Sequence, residues 1–598
     1  MGDNFEFPKT IEIYVDNSKI DNIKEYKLKG KKEHNVTYLI HEELKMENMF
    51  KNLTFLIKVE MISENNCPII SMQSSFENCV NLTSFSIKGF DTSKVESLKN
   101  LFYKTAIKEF NSINLNTKNV KDMSSMFYEC TKLEKINVDY LNTNQVTNMS
   151  SMFFKCLSLS ELNLTKFNTT SIIDMSSMFE ECNKLRSLDL SNFKTSNVKN
   201  MEKMFKGCKI IDTIDVSKFD TSEVTNMAYM FSDCTSIIKL DITNFDTKNV
   251  KDMSFMFSYC RYLRDLDLRK FKTKNVKNMK GMFYYCYSLS TLNLELFDTS
   301  LVTDMSYMFS YCNSIFEINL SKFNTEKVVS FYNMFSYNEY LLNLDLSNFR
   351  TPLLVNTSYM FNSCTRLSSL NLGEIDVSKV EDLSYMFNNC LKLKELSFNT
   401  KFKTSSSVNM SHLFNNNKKL KSLDLSNFDT KNVKNMSHMF SGCVELEEIN
   451  LSNFIVNNVE NMSNMFSDCK RLKSLDLNNF ETTNLFAANN LFYGCESLLE
   501  INLENFDTSK LTNMDYMFYN CSNLTSLDLS NFITEKVISM KFMFNSCSKL
   551  EELNLANFNT SNCNLFTSMF TGVKNNCKII NLNKDVNQKL YEEFQKKS

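Results

Sequence analysis

Apolar residues recur along this chain in two short rhythms that take turns. In the stretch that begins at Cys182, the run Leu185, Leu188, Leu190 has the form L-x-x-L-x-L. Its last two leucines alternate with Asp189 at the period of two that a half-buried strand requires. Further on, Val198, Met201, Met204, Phe205 and Cys208 are spaced 3, 3, 1 and 3, which predicts one face of a short helix. Asn200 stands just before that run, and the equivalent positions hold Asp122, Asn148, Asp174, Asn226, Asp252 and Asn278. An Asx side chain there accepts from the free N–H groups of a first helical turn, so these residues read as N-caps. Each unit is predicted to run strand, turn, short helix, turn.

The unit is copied almost throughout. With the Phe of the Met-Phe pair, or its equivalent, as a marker, copies fall at Phe50, Phe76, Phe102, Phe127, Phe153, Phe179, Phe205, Phe231, Phe257, Phe283 and Phe309, and continue to Phe570. There are 21 markers, 26 residues apart except for one step of 25 (Phe102 to Phe127) and one of 27 (Phe387 to Phe414). A fixed period of this size predicts a solenoid in which each unit buries its apolar side only against its neighbours. The expected fold class is an α/β repeat solenoid, a right-handed array of short parallel strands and short helices. The expected boundaries are an N-terminal cap over 1–45, the solenoid over 46–572, and a C-terminal strand and capping helix over 573–598.

The phrase Phe-Asp-Thr-Ser-x-Val-x-Asn-Met-Ser-x-Met-Phe-x-x-Cys-x-x-Leu-x-x-Leu-Asp-Leu-Ser-Asn resembles the BspA-like leucine-rich repeats, especially those of mycoplasma surface lipoproteins, over about residues 46 to 572. The resemblance implies a cell-surface protein that binds other proteins in adhesion. The chain departs from those relatives at its start. It opens Met-Gly-Asp-Asn-Phe-Glu, with neither an apolar run long enough for a signal peptide nor the Cys-containing lipoprotein processing site. Gly2 invites a myristoylation reading, but Glu6 occupies the place of the required Ser or Thr. Ile11-Glu-Ile-Tyr-Val and Glu25-Tyr-Lys-Leu alternate like strands of an end cap. Beyond Cys577-Lys-Ile-Ile-Asn-Leu582, Val586, Leu590 and Phe594 lie four apart, as in an amphipathic capping helix.

Composition adds mainly exclusions. A balance of 67 Lys plus Arg against 69 Asp plus Glu gives a formal charge of -2, without the basic field a nucleic-acid partner would seek. With 9 Gly, 3 Pro and no Trp, the chain offers no flexible linker at which to divide the array. Sixteen of the 19 Cys stand three residues after the marker, among them Cys182, Cys208, Cys234 and Cys260, where other copies have Leu53, Thr105, Asn338, Asn417 or Val573. That pattern predicts a buried column of small side chains with free thiols acting as weak hydrophobes; a disulfide or metal role is the alternative. Free thiols suit a reducing compartment. The sequons at Asn148, Asn409, Asn435 and Asn461 coincide with the expected caps, which disfavours a glycosylating route. An intracellular location is favoured on these grounds, with the cell surface implied by the resemblance.

Catalytic patterns are missing: no HExxH, GxxxxGK[ST] or GxSxG occurs, and neither enzyme activity nor a cofactor is expected. His412 and His438 hold equivalent places in adjacent units and read as solvated side chains, a bridging metal lacking further ligands. Two columns carry more information. Asp189, Asp215, Asp241 and Asp267 lie between the strand leucines of four consecutive units. Unit charges about 5 Å apart repel by roughly 1 to 3 kcal/mol, so this column must be hydrated, partly protonated, or neutralised by a cationic partner or weakly bound Ca²⁺. Carboxylates there also argue against nucleic acid, whose phosphates they would repel. Tyr259, Tyr285, Tyr311 and Tyr337 share the place two after the marker, with Tyr262, Tyr284 and Tyr287 close by. They read either as a sealed edge or as a site for another protein. The expected function is non-enzymatic protein binding of the BspA-like surface type, with an intracellular structural scaffold as the alternative.

Overall fold

A computed structural model describes residues 11–20, 34–40 and 42–596. The chain forms two compact units, Met1–Asn275 and Val276–Ser598. Each is a stack of coils in which equivalent residues of neighbouring copies meet. The marker phenylalanines form the axis of each core. In the first unit, rings from Phe50 to Phe257 lie in an unbroken series with centroids 5.3 to 6.0 Å apart. In the second, the series from Phe283 to Phe570 has spacings of 5.3 to 5.9 Å. Offset parallel stacking of this kind gains aromatic attraction beyond the area it buries.

The expected short helices do not form. Over Met201–Cys208 the backbone amides alternate between two partners. Those of Met201, Lys203, Phe205 and Gly207 donate to Asn226, Ala228, Met230 and Ser232 of the next coil, at 2.8 to 3.1 Å. Those of Met204, Lys206 and Cys208 close turns on Met201, Lys203 and Phe205, three residues back. Such alternation needs a chain that reverses its twist every few residues. The residues two before and two after every marker accordingly have φ between +50° and +78°. An α-helix directs every amide along its own axis to the residue four back, and so has none left for a neighbour. Val198, Met201, Met204, Phe205 and Cys208 are nonetheless all buried, because successive turns of this ladder place them inward.

The Asx residues expected as N-caps act locally in a different way. Asn200 Oδ1 accepts the Glu202 N–H at 3.1 Å, and Asp122 Oδ1 accepts that of Ser124 at 2.8 Å. Each closes an Asx turn while its own backbone bridges the coils on both sides, as in Asp174, Asn200 and Asn226. Buried threonines form another ladder: Thr169 Oγ1 accepts from Lys194 N–H at 2.7 Å and donates to Lys194 O at 2.9 Å.

Strands follow the L-x-L pattern in some coils. Glu109–Asn111 pairs in parallel with Lys135–Asn137 in the first unit. In the second, Asn343–Asp345 pairs with Ser369–Asn371, Ser474–Asp476 with Glu500–Asn502, and Ser526–Asp528 with Glu552–Asn554. Each of these pairs sets Asp against Asn, or Asn against Asn, at the outward position. No strand forms around Asp189, Asp215, Asp241 or Asp267, apart from the single bridge Lys239 to Asp265. Strands are equally missing where the outward residue is neutral, as at Asn163, Asn293 and Asn319.

At the chain ends, Ile11–Val15 pairs antiparallel with Ser18–Ile20 and Val36–Ile40; the expected strand at Glu25 and the Gly2 reading lie outside the described residues. Lys578–Ile580 adds a last parallel strand beside Glu552–Asn554. The helix Gln588–Gln595, the one α-helix among the described residues, buries Leu590 and Phe594. Val586 is exposed, outside that helix. Phe594 lies edge-on across the ring of Phe570 at 5.0 Å. Asn587 Oδ1 accepts from both the amide and the hydroxyl of Thr560, ending the threonine ladder. Among the described residues no helix is long and apolar enough to cross a membrane.

The left-handed positions make a direct test. Asn464 has φ +60°. Its replacement by Val should lower unfolding stability by about 1–3 kcal/mol, since a β-branched side chain clashes in that region. Replacement by Gly should be neutral or stabilising in the same chemical-denaturation experiment.

Candidate protein-binding surface

The Asp column is held by its own coils. Asp189 Oδ1 accepts the Ser191 N–H at 3.0 Å. Asp215 and Asp241 accept from both the amide and the hydroxyl of Ser217 and Thr243. Asp267 is bound through both oxygens by the Arg269 guanidinium, at 3.0 and 2.8 Å. Hydrogen bonds to the ionised form lower all four carboxyls, that of Asp267 to about 2. Partial protonation is therefore not how the column relieves its repulsion. Neighbouring carboxylates still oppose ionisation, Asp241 acting on Asp215 and Asp267 on Asp241. Among the described residues no three His, Cys, Asp or Glu side chains converge as metal ligands.

The Cys column is buried, and all nineteen thiols are free. Its members do more than fill space: Cys208 Sγ donates to Phe179 O in the preceding coil at 3.2 Å, and Cys182, Cys234 and Cys260 make the equivalent bond at 3.1 Å. Where Asn338 replaces Cys, its amide donates to Phe309 O and Phe335 O; Thr105 donates to Phe102 O. In every coil but the two that hold Leu53 and Val573 the position thus carries a small donor. Burial raises these thiols, Cys182 and Cys260 to about 12, which keeps them un-ionised and unreactive.

The tyrosines divide between the two units. Tyr259 belongs to the first, with the Arg261 guanidinium 5.8 Å over its ring. In the second, Tyr285 stacks on Tyr311 at 4.0 Å and Tyr311 on Tyr337 at 4.3 Å. The rings continue as a network through Tyr284, Tyr307, Tyr332, Tyr359 and Tyr385. Burial and the flanking tyrosines push the Tyr311 phenol up. All three stacked tyrosines have φ near +60° and are half-buried, so their faces are spent on one another and their edges turn outward.

Close by in the chain stand Tyr287, which the tyrosine pattern singled out, and Phe316 and Tyr340, which it did not. Phe316 and Tyr340 are 49% and 43% exposed and meet edge to face at 6.0 Å; Tyr287 is 49% exposed. The Arg366 guanidinium lies 5.3 Å over the Tyr340 ring. The column gives little sign of it, since the place of Phe316 is charged in some coils, as at Arg186, Asp212 and Lys394, and aliphatic in others, as at Ile57, Ile238, Leu342 and Leu499. Exposed aromatic rings beside an Arg have the composition of a binding hot spot.

His412 and His438 extend the aromatic stack and are not simply solvated. Tyr385 lies 4.2 Å from His412, and His412 lies 4.3 Å from His438, with interplanar angles near 10°. Parallel rings cannot direct in-plane lone pairs at one ion between them. Burial, with the neighbouring His438, lowers His412 to about 4, and burial lowers His438. The unfolded chain, with His near 6.5, then takes up protons before the folded one. Their contribution to stability is complete above about pH 7 and is lost as pH falls from about 6.5 towards 4. Replacing both by Asn, which occupies the equivalent Asn333, Asn464 and Asn490, should flatten the fall in unfolding temperature between pH 7 and 4.

Solved leucine-rich repeat proteins are among those to which this chain is similar. A solved leucine-rich repeat protein from Bacteroides ovatus is similar at 16% identity, over 81% of this chain and 99% of that one, with a TM-score of 0.34. Another from Eubacterium ventriosum is similar at 14% identity, over 62% and 90%, with a TM-score of 0.29. No curated protein matches. The family described as "Mycoplasma protein of unknown function, DUF285" matches residues 44–156, 106–213, 130–235, 186–292, 288–401, 395–501 and 488–597. The chain therefore belongs to this DUF285 family.

Proposed function

We propose that the chain is a non-enzymatic protein-binding repeat protein of the surface-adhesion type, which meets its partner through the aromatic surface of the second unit. The observation that carries this reading is the exposure of Tyr287, Phe316 and Tyr340 beside the stacked Tyr285, Tyr311 and Tyr337. Large, stiff side chains give contact area at a low entropic cost on binding. An intracellular scaffold is the second reading, supported by the nineteen free thiols.

Protease shaving of intact cells should release peptides of this chain without those of a cytosolic control. A photo-reactive phenylalanine analogue at position 316 should cross-link to a protein, whereas the same analogue at exposed Ser452 should not. Cross-linking with release only after lysis would transfer the surface to the scaffold reading. Failure to cross-link at 316 on intact and lysed cells alike would remove the surface.

A further inference from the structure

The exposed aromatic residues are flanked in the chain by acidic ones. Phe316 is followed by Glu317, and Tyr340 is preceded by Glu339. Both glutamates are exposed, and neither enters an ion pair among the described residues. The coils are tied here by the Leu342 amide, which donates to Phe316 O at 3.0 Å, so the ring pair and its carboxylates sit on a fixed ladder. From Tyr287 to Leu346 the chain carries seven acidic residues against two lysines, in a protein that is otherwise nearly neutral.

Exposed ring faces next to free carboxylates select a flat cation. A guanidinium stacks on an aromatic face and forks a carboxylate at the same time, which an ammonium cannot do. A guanidinium already lies over one of these rings, that of Arg366 over Tyr340. We propose that Phe316 and Tyr340, with Glu317 and Glu339, receive an arginine side chain presented by the protein partner, and that Arg366 competes with it for Tyr340. This inference rests on the reading of the surface as a protein-binding site.

The test uses the full chain and three synthetic Gly-Ser peptides that carry three arginines, three lysines or three citrullines, titrated in about 150 mM salt. The arginine peptide should bind about tenfold more tightly than the other two. Phe316→Ala with Tyr340→Ala, or Glu317→Gln with Glu339→Gln, should each remove that advantage, and Arg366→Ala should strengthen binding. Glu500→Gln with Glu552→Gln, on exposed strands elsewhere in the second unit, should change nothing. Since every altered side chain is exposed, circular dichroism should show an unchanged fold. Equal binding of lysine and arginine, or an advantage that survives the Phe316 and Glu317 variants, would overturn the proposal. If the peptides fail while the analogue at 316 still cross-links to a protein, the arginine preference falls and the binding surface stands; if both fail, both fall.

Discussion

Everything in this fold depends on how the backbone divides its amides. Around each marker Phe, one amide reaches the next coil and the following one closes a turn within its own. Each coil is thereby bonded to its neighbour and also curled tightly enough to turn its Met, Phe and Cys side chains inward. Neither a helix nor a plain strand does both: the helix satisfies itself, and the strand does not curl. The stacked phenylalanines, the thiol donors and the threonine ladder are side-chain versions of the same arrangement, in which every coil completes the hydrogen bonding of another.

Much of this was legible in the sequence. The period, the inward identity of Val198, Met201, Met204, Phe205 and Cys208, and the outward placing of Asp189 all follow from repetition and polarity. The helix did not follow. A spacing of 3, 3, 1 and 3 marks which residues share a side, and a series of alternating turns shares sides much as a helix does. The discriminating signal lies elsewhere: the places two before and two after the marker hold Asn, Ser, Tyr, Asp, Lys, Glu, His, Phe or Gly, and never Val, Ile or Thr. A helix disfavours β-branched residues only mildly, whereas a left-handed backbone excludes them. Read in that light, Asn200 and its equivalents are turn closers and not caps.

The candidate surface was half visible. Tyr285, Tyr311 and Tyr337 stand out because they repeat, and repetition is what a periodic reading detects. Phe316 has no aromatic counterpart in its column and Tyr340 has only Phe55 and Tyr262, so periodicity gives them little prominence, and it is their exposure that brings them forward. Sequence likewise could not reveal that Asp267 is clasped by Arg269 while Asp189 relies on its own turn. The column lines up the carboxylates, but the side chain two residues on determines how each is held.

The left-handed pairs also restrict what the outer edge of the protein can display. Where the backbone admits no β-branched residue, a lineage of such chains has no Val, Ile or Thr with which to alter that edge. Those places hold aromatics, amides, hydroxyls and charges instead, as at Tyr311, Asn389, Ser363 and Lys203. Partner specificity along these coils is in this sense a restricted alphabet, set by the peptide geometry before any partner is met.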